Sequence, residues 1–253
     1  MPTYLMVFIA LVLPLGMPAQ TARPTGAAQA KPIPRTAEGK PDFAGIWNRK
    51  GGGGLPGRRF RVEDAPLRAE ALKLFQYNRE GVNNPAEQGL DDRDPSTFCY
   101  PVGPTRIYTL PRPIQFVQVP GLILLLSEWD HTLRRIYLDG REHPDGYPWV
   151  WQGHSIGKWD GDTLVVDTTS IRPETWVDGI GTPHSDALHI VERFTRVNYD
   201  TLEIDVTFDD PKAYTEPWGG KKVFELKPAW EILDHANCED YLEIGKPRTG
   251  SGY

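Results

Sequence analysis

Glu192 is the residue whose position in the sequence most directly indicates chemistry. In the segment 188–197 alternate side chains of a β-strand point to opposite faces, and Glu192 falls on the apolar face. The other residues on that face are Leu188, Ile190 and Phe194. A carboxylate there must be paired with a positive charge or have its pKa raised, because burial disfavours the ionised form. Glu192 is therefore a candidate acid–base residue.

His154 is the candidate partner of Glu192. It begins a predicted strand and shares a face with Ile156 and Lys158. An imidazole beside a buried carboxylate would form a general acid and base without a cofactor, so His154 and Glu192 are the candidate catalytic residues. The competing interpretation is structural. In it, Glu192 forms a buried ion pair with an arginine, and this pair helps to hold a β-barrel closed.

Several aromatic and cationic side chains could bind a ligand near this pair. They would supply a stacking surface and a hydrogen-bond donor that stabilises an anion. The candidate ligand-binding residues are Arg135, Tyr137, Lys158, Tyr214 and Trp218.

The pentapeptide 153–157, Gly-His-Ser-Ile-Gly, matches the pattern of a serine nucleophile elbow. Asp167 and a later histidine could complete a catalytic triad around Ser155. In an elbow the strand turns sharply into a helix, whereas here residues 158–162 lead into another strand. The pattern therefore favours a strand with two glycines at a close backbone approach over a serine hydrolase.

A metal site is a further alternative, since His184, His189 and Glu192 lie close together in the sequence. If 188–197 is a strand, His189 and Glu192 point to opposite faces and cannot bind one ion. If it is a helix capped by Ser185, the two residues lie one turn apart. The strand interpretation predicts no metal and no cofactor, and the sequence contains no nucleotide-binding or zincin motif.

Short β-strands separated by turn residues are expected to position these side chains. Period-two alternation predicts about nine strands, and short turns such as Asp139-Gly140 connect them as an antiparallel meander. The predicted strands are 114–119, 122–129, 133–138, 154–159, 163–169, 188–197, 201–208, 222–226 and 230–235. A meander of this length closes its exposed edges by forming an up-and-down barrel, so we predict a mainly β fold.

One helix is predicted, from Asp64 to Glu80. Asp64 could be its N-cap, Pro66 lies in its first turn, and Gly81 would end it. The barrel thus carries one short N-terminal helix.

Gly45-Ile46-Trp47, at the start of the folded region and followed by the meander, resembles the calycin superfamily of lipocalin-like barrels. The stretches 153–168 and 209–215 also resemble a group of uncharacterised exported bacterial proteins. The likeness covers roughly residues 40–240. It implies a lipocalin-like barrel that binds or transforms a small apolar molecule, and it assigns no catalytic residue.

The N-terminal region indicates export. The apolar run 5–15 suits a signal peptide over residues 1–19, with cleavage possible as late as Ala30. Residues 20–40 have the composition of a disordered linker, and 41–253 are expected to form a single β-barrel domain. Because an exported chain meets oxidising conditions, Cys99 and Cys238 are predicted to form a disulfide.

The overall charge and composition restrict the possible partners. A net charge of -6 and the lack of long basic runs argue against nucleic acid. We expect a soluble periplasmic or secreted protein without a stable membrane anchor, and its oligomeric state stays open. The first functional hypothesis is that the barrel takes a small hydrophobic or aromatic molecule into its cavity and transforms it there, as a cofactor-independent acid–base lyase or isomerase. The alternative is a non-catalytic carrier of such a molecule.

Overall fold

The computed structural model describes residues 31–51, 58–61, 63–83 and 93–233. Their strands close into one barrel, in which each strand pairs with its neighbours in sequence and the last pairs with the first. The strands are β1 Gly45–Arg49, β2 Ile114–Val119, β3 Leu122–Ser127, β4 Leu133–Tyr137, β5 His154–Asp160, β6 Thr163–Thr169, β7 His189–Arg196, β8 Thr201–Asp209 and β9 Trp218–Leu226. The predicted mainly β, closed-barrel fold is confirmed.

One pair of neighbouring strands departs from the predicted meander. β4 and β5 are parallel, through the pairs Ile136 with Ser155 and Tyr137 with Ile156, whereas the other neighbours are antiparallel. Alternating directions can close only an even number of strands, so a closed barrel of nine needs a parallel pair. Parallel strands also need a connection that returns along their length. Residues 138–153, the crossover segment, make that connection.

The end of the predicted strand list needs a correction. Residues 230–233 are not in a strand, and residues 234 and 235 lie outside the described residues. β9 begins at Trp218, before the predicted start at Lys222, and includes Gly219 and Gly220. A Cβ atom at either glycine would collide with the backbone of Val206 or Phe60, so the strand passes there only because both side chains are absent.

The helix, α1, spans Ala69–Asn83 and begins later than predicted. The preceding residues pair with another part of the chain, since Leu67 forms a β-bridge with Tyr214 and the Arg68 amide donates to the Ala213 carbonyl. Asp64 therefore caps no helix, and its carboxylate binds Arg59 and Arg79. Local pairing outweighs the helix-start pattern in this segment.

The inner face of the barrel is packed with aromatic side chains. Tyr108 projects from a short 3₁₀ helix, Arg106–Thr109, and its ring lies edge-on to Phe194 and Phe224 at centroid distances of 6.4 and 6.0 Å. The largest buried aromatic residues of this core are Phe43, Trp47, Tyr108, Phe116, Phe194, Phe208, Tyr214 and Phe224. Each aromatic pair adds roughly 0.5–1.5 kcal/mol beyond its buried area.

Residues 31–40, which the sequence analysis assigns to the linker, contact the barrel. Arg35 binds both carboxylate oxygens of Asp162 at 2.9 and 2.6 Å, and Lys40 donates to the Gly161 carbonyl. Both side chains of this ion pair are exposed, so solvent screens their attraction. No helix among the described residues has the length and apolar character needed to cross a bilayer.

Candidate functional site

Glu192 lies inside the barrel, as its apolar strand face predicted, and both it and Arg134 are fully buried. Arg134 donates from Nη1 to Oε1 at 2.9 Å and from Nη2 to Oε2, while the Tyr108 hydroxyl donates to Oε1 at 2.8 Å. Burial alone would lower the pKa of Arg134, but the Glu192 carboxylate outweighs it and raises that pKa. Glu192 is thus held as an ion pair.

Arg134 also links strands through two hydroxyls. Its guanidinium donates to Ser155 Oγ at 3.1 Å and to Thr168 Oγ1 at 2.9 Å. These five side chains, Tyr108, Arg134, Ser155, Thr168 and Glu192, form what we call the buried network. It joins β4, β5, β6 and β7 inside a packed core, which matches the structural interpretation of Glu192.

His154 lies on the opposite face of the sheet from Glu192. The next residue, Ser155, points inward to Arg134, and adjacent strand residues alternate, so the His154 ring points outward. Glu192 pairs with Val166, whose side chain is also inside, whereas His154 pairs with Thr169 on the outer face. The predicted His154–Glu192 pair is therefore not formed. Alternation was applied within each strand, but the register between strands decides which side chains meet.

His154 instead joins a group on the outer face of the barrel. His143, from the crossover segment, places Nδ1 2.7 Å from Nδ1 of His154 and Nε2 3.0 Å from Oδ1 of Asp167. The other oxygen of Asp167 lies 2.8 Å from Nε2 of His189. These four residues, His143, His154, Asp167 and His189, are called the outer cluster below.

Hydrogen-bond logic assigns the protons in the outer cluster. An ionised carboxylate only accepts, so His143 and His189 each carry a proton on the Nε2 that faces Asp167. The Thr169 hydroxyl lies 3.3 Å from Nδ1 of His143, but Nδ1 of His154 is closer at 2.7 Å. Two nitrogen lone pairs would repel at that distance, so with His143 neutral the proton between them belongs to Nδ1 of His154. The lone pair of His154 is consequently left on Nε2. A chain from carboxylate to imidazole to imidazole thus ends on a basic nitrogen.

The pKa shifts agree with this assignment. Burial, with smaller effects from His143 and Arg141, lowers the pKa of His154 below its usual value, which favours the neutral ring. The hydrogen bond to Asp167 raises the pKa of His189, and the same bond lowers the pKa of Asp167. At neutral pH Asp167 is therefore ionised and His154 is neutral.

Aromatic rings cover His154. Tyr137, which the sequence analysis proposed for ligand binding, stacks on His154 at a centroid distance of 5.5 Å. Tyr147, from the crossover segment, packs on His154 at a centroid distance of 4.8 Å. Only 4% of the accessible surface of His154 remains exposed. The Arg141 guanidinium lies 3.7 Å from the Tyr137 ring centre. His154 thus lies under two tyrosines.

A pocket of about 580 Å³ adjoins this group. It is called the aromatic pocket here, and its lining residues are Tyr147, Pro148, Trp149, Arg172, Pro173 and Glu174. Its volume falls in the usual range for small-molecule sites. Tyr147 both lines this pocket and packs on His154, so a molecule in the pocket would contact the ring that covers His154.

The other predicted ligand-binding residues lie in different surroundings. Arg135 and Lys158 are exposed on the outer face of the barrel. Tyr214 is buried and donates from its hydroxyl to the Pro183 carbonyl at 2.9 Å, and Trp218 packs against Phe208 inside the barrel. Tyr214 and Trp218 contact each other with ring centroids 5.5 Å apart, but Arg135 and Lys158 lie on the other face of the sheet.

The two alternative chemistries are resolved by strand geometry. Ser155 lies within β5 and is bound to Arg134 and Thr168, so the elbow geometry of a serine hydrolase is absent at this serine. His184 is buried beside Thr175, His189 points outward and Glu192 points inward. Within the part of the chain that the structure describes, no three His, Cys, Asp or Glu side chains are arranged to hold a metal ion.

The sequence analysis missed His143 as a site residue, because Asp139-Gly140 read as the turn of an antiparallel hairpin. A parallel pair of strands turns the same residues into a long segment that can cover the sheet. Asp167 and His189 were considered only for a triad or a metal. The alternation in β6 and β7 already put both on the outer face, which was the available signal.

The predicted disulfide involves a residue outside the described part of the chain. Cys99 lies just after a short 3₁₀ helix, Pro95–Phe98, in a left-handed conformation, whereas Cys238 lies outside the described residues. The pairing of the two cysteines stays a prediction.

Comparisons with protein-family models, with curated proteins and with solved structures found no match to this chain. The closed barrel is compatible with a calycin or lipocalin-like fold.

Proposed function

We propose that this protein binds a small molecule on the outer wall of its barrel and transforms it by acid–base chemistry at His154. The reaction class is a lyase or isomerase reaction that needs no cofactor. The observation that carries the proposal is the chain from Asp167 through His143 to His154, with distances of 3.0 and 2.7 Å. It leaves the lone pair of His154 on Nε2.

The chemical role of the chain follows from charge. When His154 Nε2 takes a proton from a substrate, the ring becomes positive. His143 accepts a hydrogen bond from that ring, and Asp167 stabilises positive charge that reaches His143. The returned proton completes the cycle without net change in the protein, and such general acid–base groups contribute roughly 10²–10⁴-fold to rate.

The aromatic pocket is the proposed substrate-binding site. Tyr147 lines this pocket, packs on His154 and is 38% exposed. The proposal requires this side chain to rotate so that a bound molecule reaches Nε2 of His154. Tyr147 and Trp149 line this pocket with aromatic rings and suit a molecule with an apolar or aromatic side. The ligand class expected from the sequence, a small hydrophobic or aromatic molecule, is thus kept. Its proposed binding site moves from the barrel cavity to the outer face of the barrel.

The proposal also places the protein in the periplasm or outside the cell, as a member of the lipocalin-like barrels. Support for export comes from the apolar run 5–15 in the sequence. The closed barrel supports the relationship to lipocalin-like proteins.

The rival proposal is a carrier that binds the same molecule without changing it. The observation that favours it is the low exposure of His154 beneath Tyr147. In a carrier, His154 would position the tyrosine ring and would not itself contact the bound molecule.

Solvent exchange separates the two proposals. A panel of aryl ketones and reducing sugars is incubated with the protein in D₂O, and NMR follows the exchange and isomerisation of carbon-bound protons. We expect turnover with at least one compound and a loss of roughly 10²-fold or more in His154→Gln, without loss of binding. His131→Gln, at an exposed histidine elsewhere, is the control. Binding without turnover in the wild type would favour the carrier.

A further inference from the structure

The aromatic pocket exposes rings that are costly to leave in water. Trp149 is 54% exposed and Tyr147 is 38% exposed, although both lie in a pocket rather than in the core. Pro148 lies between them and Pro173 lines the pocket beside them, which restricts the backbone. Exposed aromatic rings on a restricted backbone are a ready stacking surface, because little conformational entropy is lost when a ligand binds.

Two charged side chains form the polar side of the same pocket. Arg172 donates to the two carboxylate oxygens of Glu174 at 3.3 and 3.0 Å. Their hydrogen bond raises the pKa of Arg172 and lowers the pKa of Glu174, so both stay ionised at neutral pH. The pair therefore offers donors and acceptors together while its net charge is zero.

Aromatic contacts fix the position of Arg172. Its guanidinium lies 4.5 Å from the ring centre of Trp151, and Trp151 stacks on Tyr100 at 5.0 Å with 22° between the planes. A guanidinium packed on a ring presents its remaining donors in a fixed direction. The pocket thus combines a fixed polar edge with a fixed apolar face.

We propose that the aromatic pocket binds the ring of a neutral saccharide. The apolar C–H face of the sugar stacks on Trp149 and Tyr147, and its hydroxyls accept from Arg172 and donate to Glu174. This inference deepens the proposed function, and it rests on that function only in assuming that the aromatic pocket is the substrate-binding site.

Other ligand classes fit these groups less well. An aryl carboxylate or an acidic sugar needs a cation that is not already neutralised, whereas Arg172 is paired with Glu174. A purely apolar molecule would remove both charged groups from water without replacing their hydrogen bonds. A neutral ring with hydroxyls at its edge satisfies the rings and the charges together.

Calorimetry and tryptophan fluorescence test the proposal with defined probes. The wild type is titrated with maltotriose, cellotriose and chitotriose as neutral saccharides. A glucuronic acid trisaccharide, 4-hydroxybenzoate and a decaproline peptide are the competing ligand classes. We expect one of the neutral saccharides to bind at least tenfold more tightly than each competitor.

Variants locate the binding. Trp149→Ala should weaken saccharide binding by about tenfold or more, because a stacking face is removed. Trp230→Ala, at a tryptophan that is also about half exposed, should leave it unchanged. Glu174→Gln keeps the shape but leaves Arg172 uncompensated, so it should weaken neutral saccharides and strengthen the acidic one. A thermal melt of each variant shows whether it is folded.

The proposal is overturned if no neutral saccharide binds, if an acidic, aromatic or proline-rich probe binds more tightly, or if folded Trp149→Ala binds as the wild type does. Binding and turnover are separate readouts of the wild type, because Trp149, Arg172 and Glu174 hold the saccharide whereas proton transfer needs His154. Saccharide binding without turnover would therefore support this inference while contradicting catalysis, and turnover of an aryl ketone alone would do the reverse.

Discussion

The Nδ1 atoms of His143 and His154 lie 2.7 Å apart, and only one of them can carry the shared proton when both rings are neutral. Since Asp167 fixes the proton of His143 on Nε2, the shared proton belongs to His154. A residue from the crossover segment thus sets the tautomer of a residue on β5. The following predictions test this arrangement and the buried network beneath it.

The pKa of His154 should lie below its ordinary value of about 6.5. Burial is the largest cause, and His143 and Arg141 add to it. In His143→Gln the pKa of His154 should rise, because one of the groups that lower it is removed. NMR titration of the imidazole signals measures both values, and titration of His154 at or above 6.5 in the wild type would contradict the assigned neutral, covered ring.

His189 should make stability depend on pH in a defined direction. Its folded pKa is raised by Asp167, so its contribution is complete below the unfolded pKa and is lost as pH rises through the folded pKa. The stability difference between wild type and His189→Gln should therefore be larger at pH 5 than at pH 9. Both side chains are more than a third exposed, which limits the effect to about 1 kcal/mol. Urea unfolding at the two pH values measures it, and a larger difference at pH 9 would refute the pairing.

Glu192→Gln should lower the free energy of unfolding by about 3–5 kcal/mol, the range for breaking a buried ion pair, because it leaves Arg134 charged and unmatched. Glu203→Gln, which breaks a partly exposed pair with Lys221, is the matched control and should cost about 1 kcal/mol or less. Denaturant unfolding compares the variants. Equal stability of Glu192→Gln and wild type would show that the buried network does not hold the barrel together.

The mature, non-reduced protein should show no free thiol after unfolding, because Cys99 and Cys238 are predicted to be bonded in an oxidising compartment. Ellman's reagent measures thiols before and after reduction. The two-cysteine count gives a simple outcome, since two reactive thiols without reduction would disprove the disulfide.

The strands were predictable where alternation and turn chemistry agreed. β2 and β6 have the predicted bounds, because short turns flank a clear period-two pattern in both. The burial of Glu192 followed from the same pattern. Its partner could have been found in the same way, since Arg134 shares a strand face with the buried Ile136.

The outer cluster was not predictable from alternation alone. His143 reaches His154 only because β4 and β5 are parallel. The turn-like pair Asp139-Gly140 drew attention away from the length of 138–153, which exceeds that of a tight hairpin loop. The predicted number of strands was already odd, and a closed barrel with an odd number of strands needs a parallel pair. The pair was missed because closure was predicted without this test of strand directions.

The parallel pairing creates a seam in the barrel wall. β4 and β5 share two paired positions, whereas β7 and β8 share eight, so local opening should begin between β4 and β5, where few backbone bonds must break. Arg134 crosses this line to Ser155 and continues to Thr168 and Glu192, so side chains supply the cohesion that the short ladder lacks. His154 of the outer cluster borders this seam, and Tyr137 of β4 stacks on His154 from the other side. Amide hydrogen exchange that is fast at β5 and slowed by a bound ligand would mean that the sheet opens locally where the ligand binds.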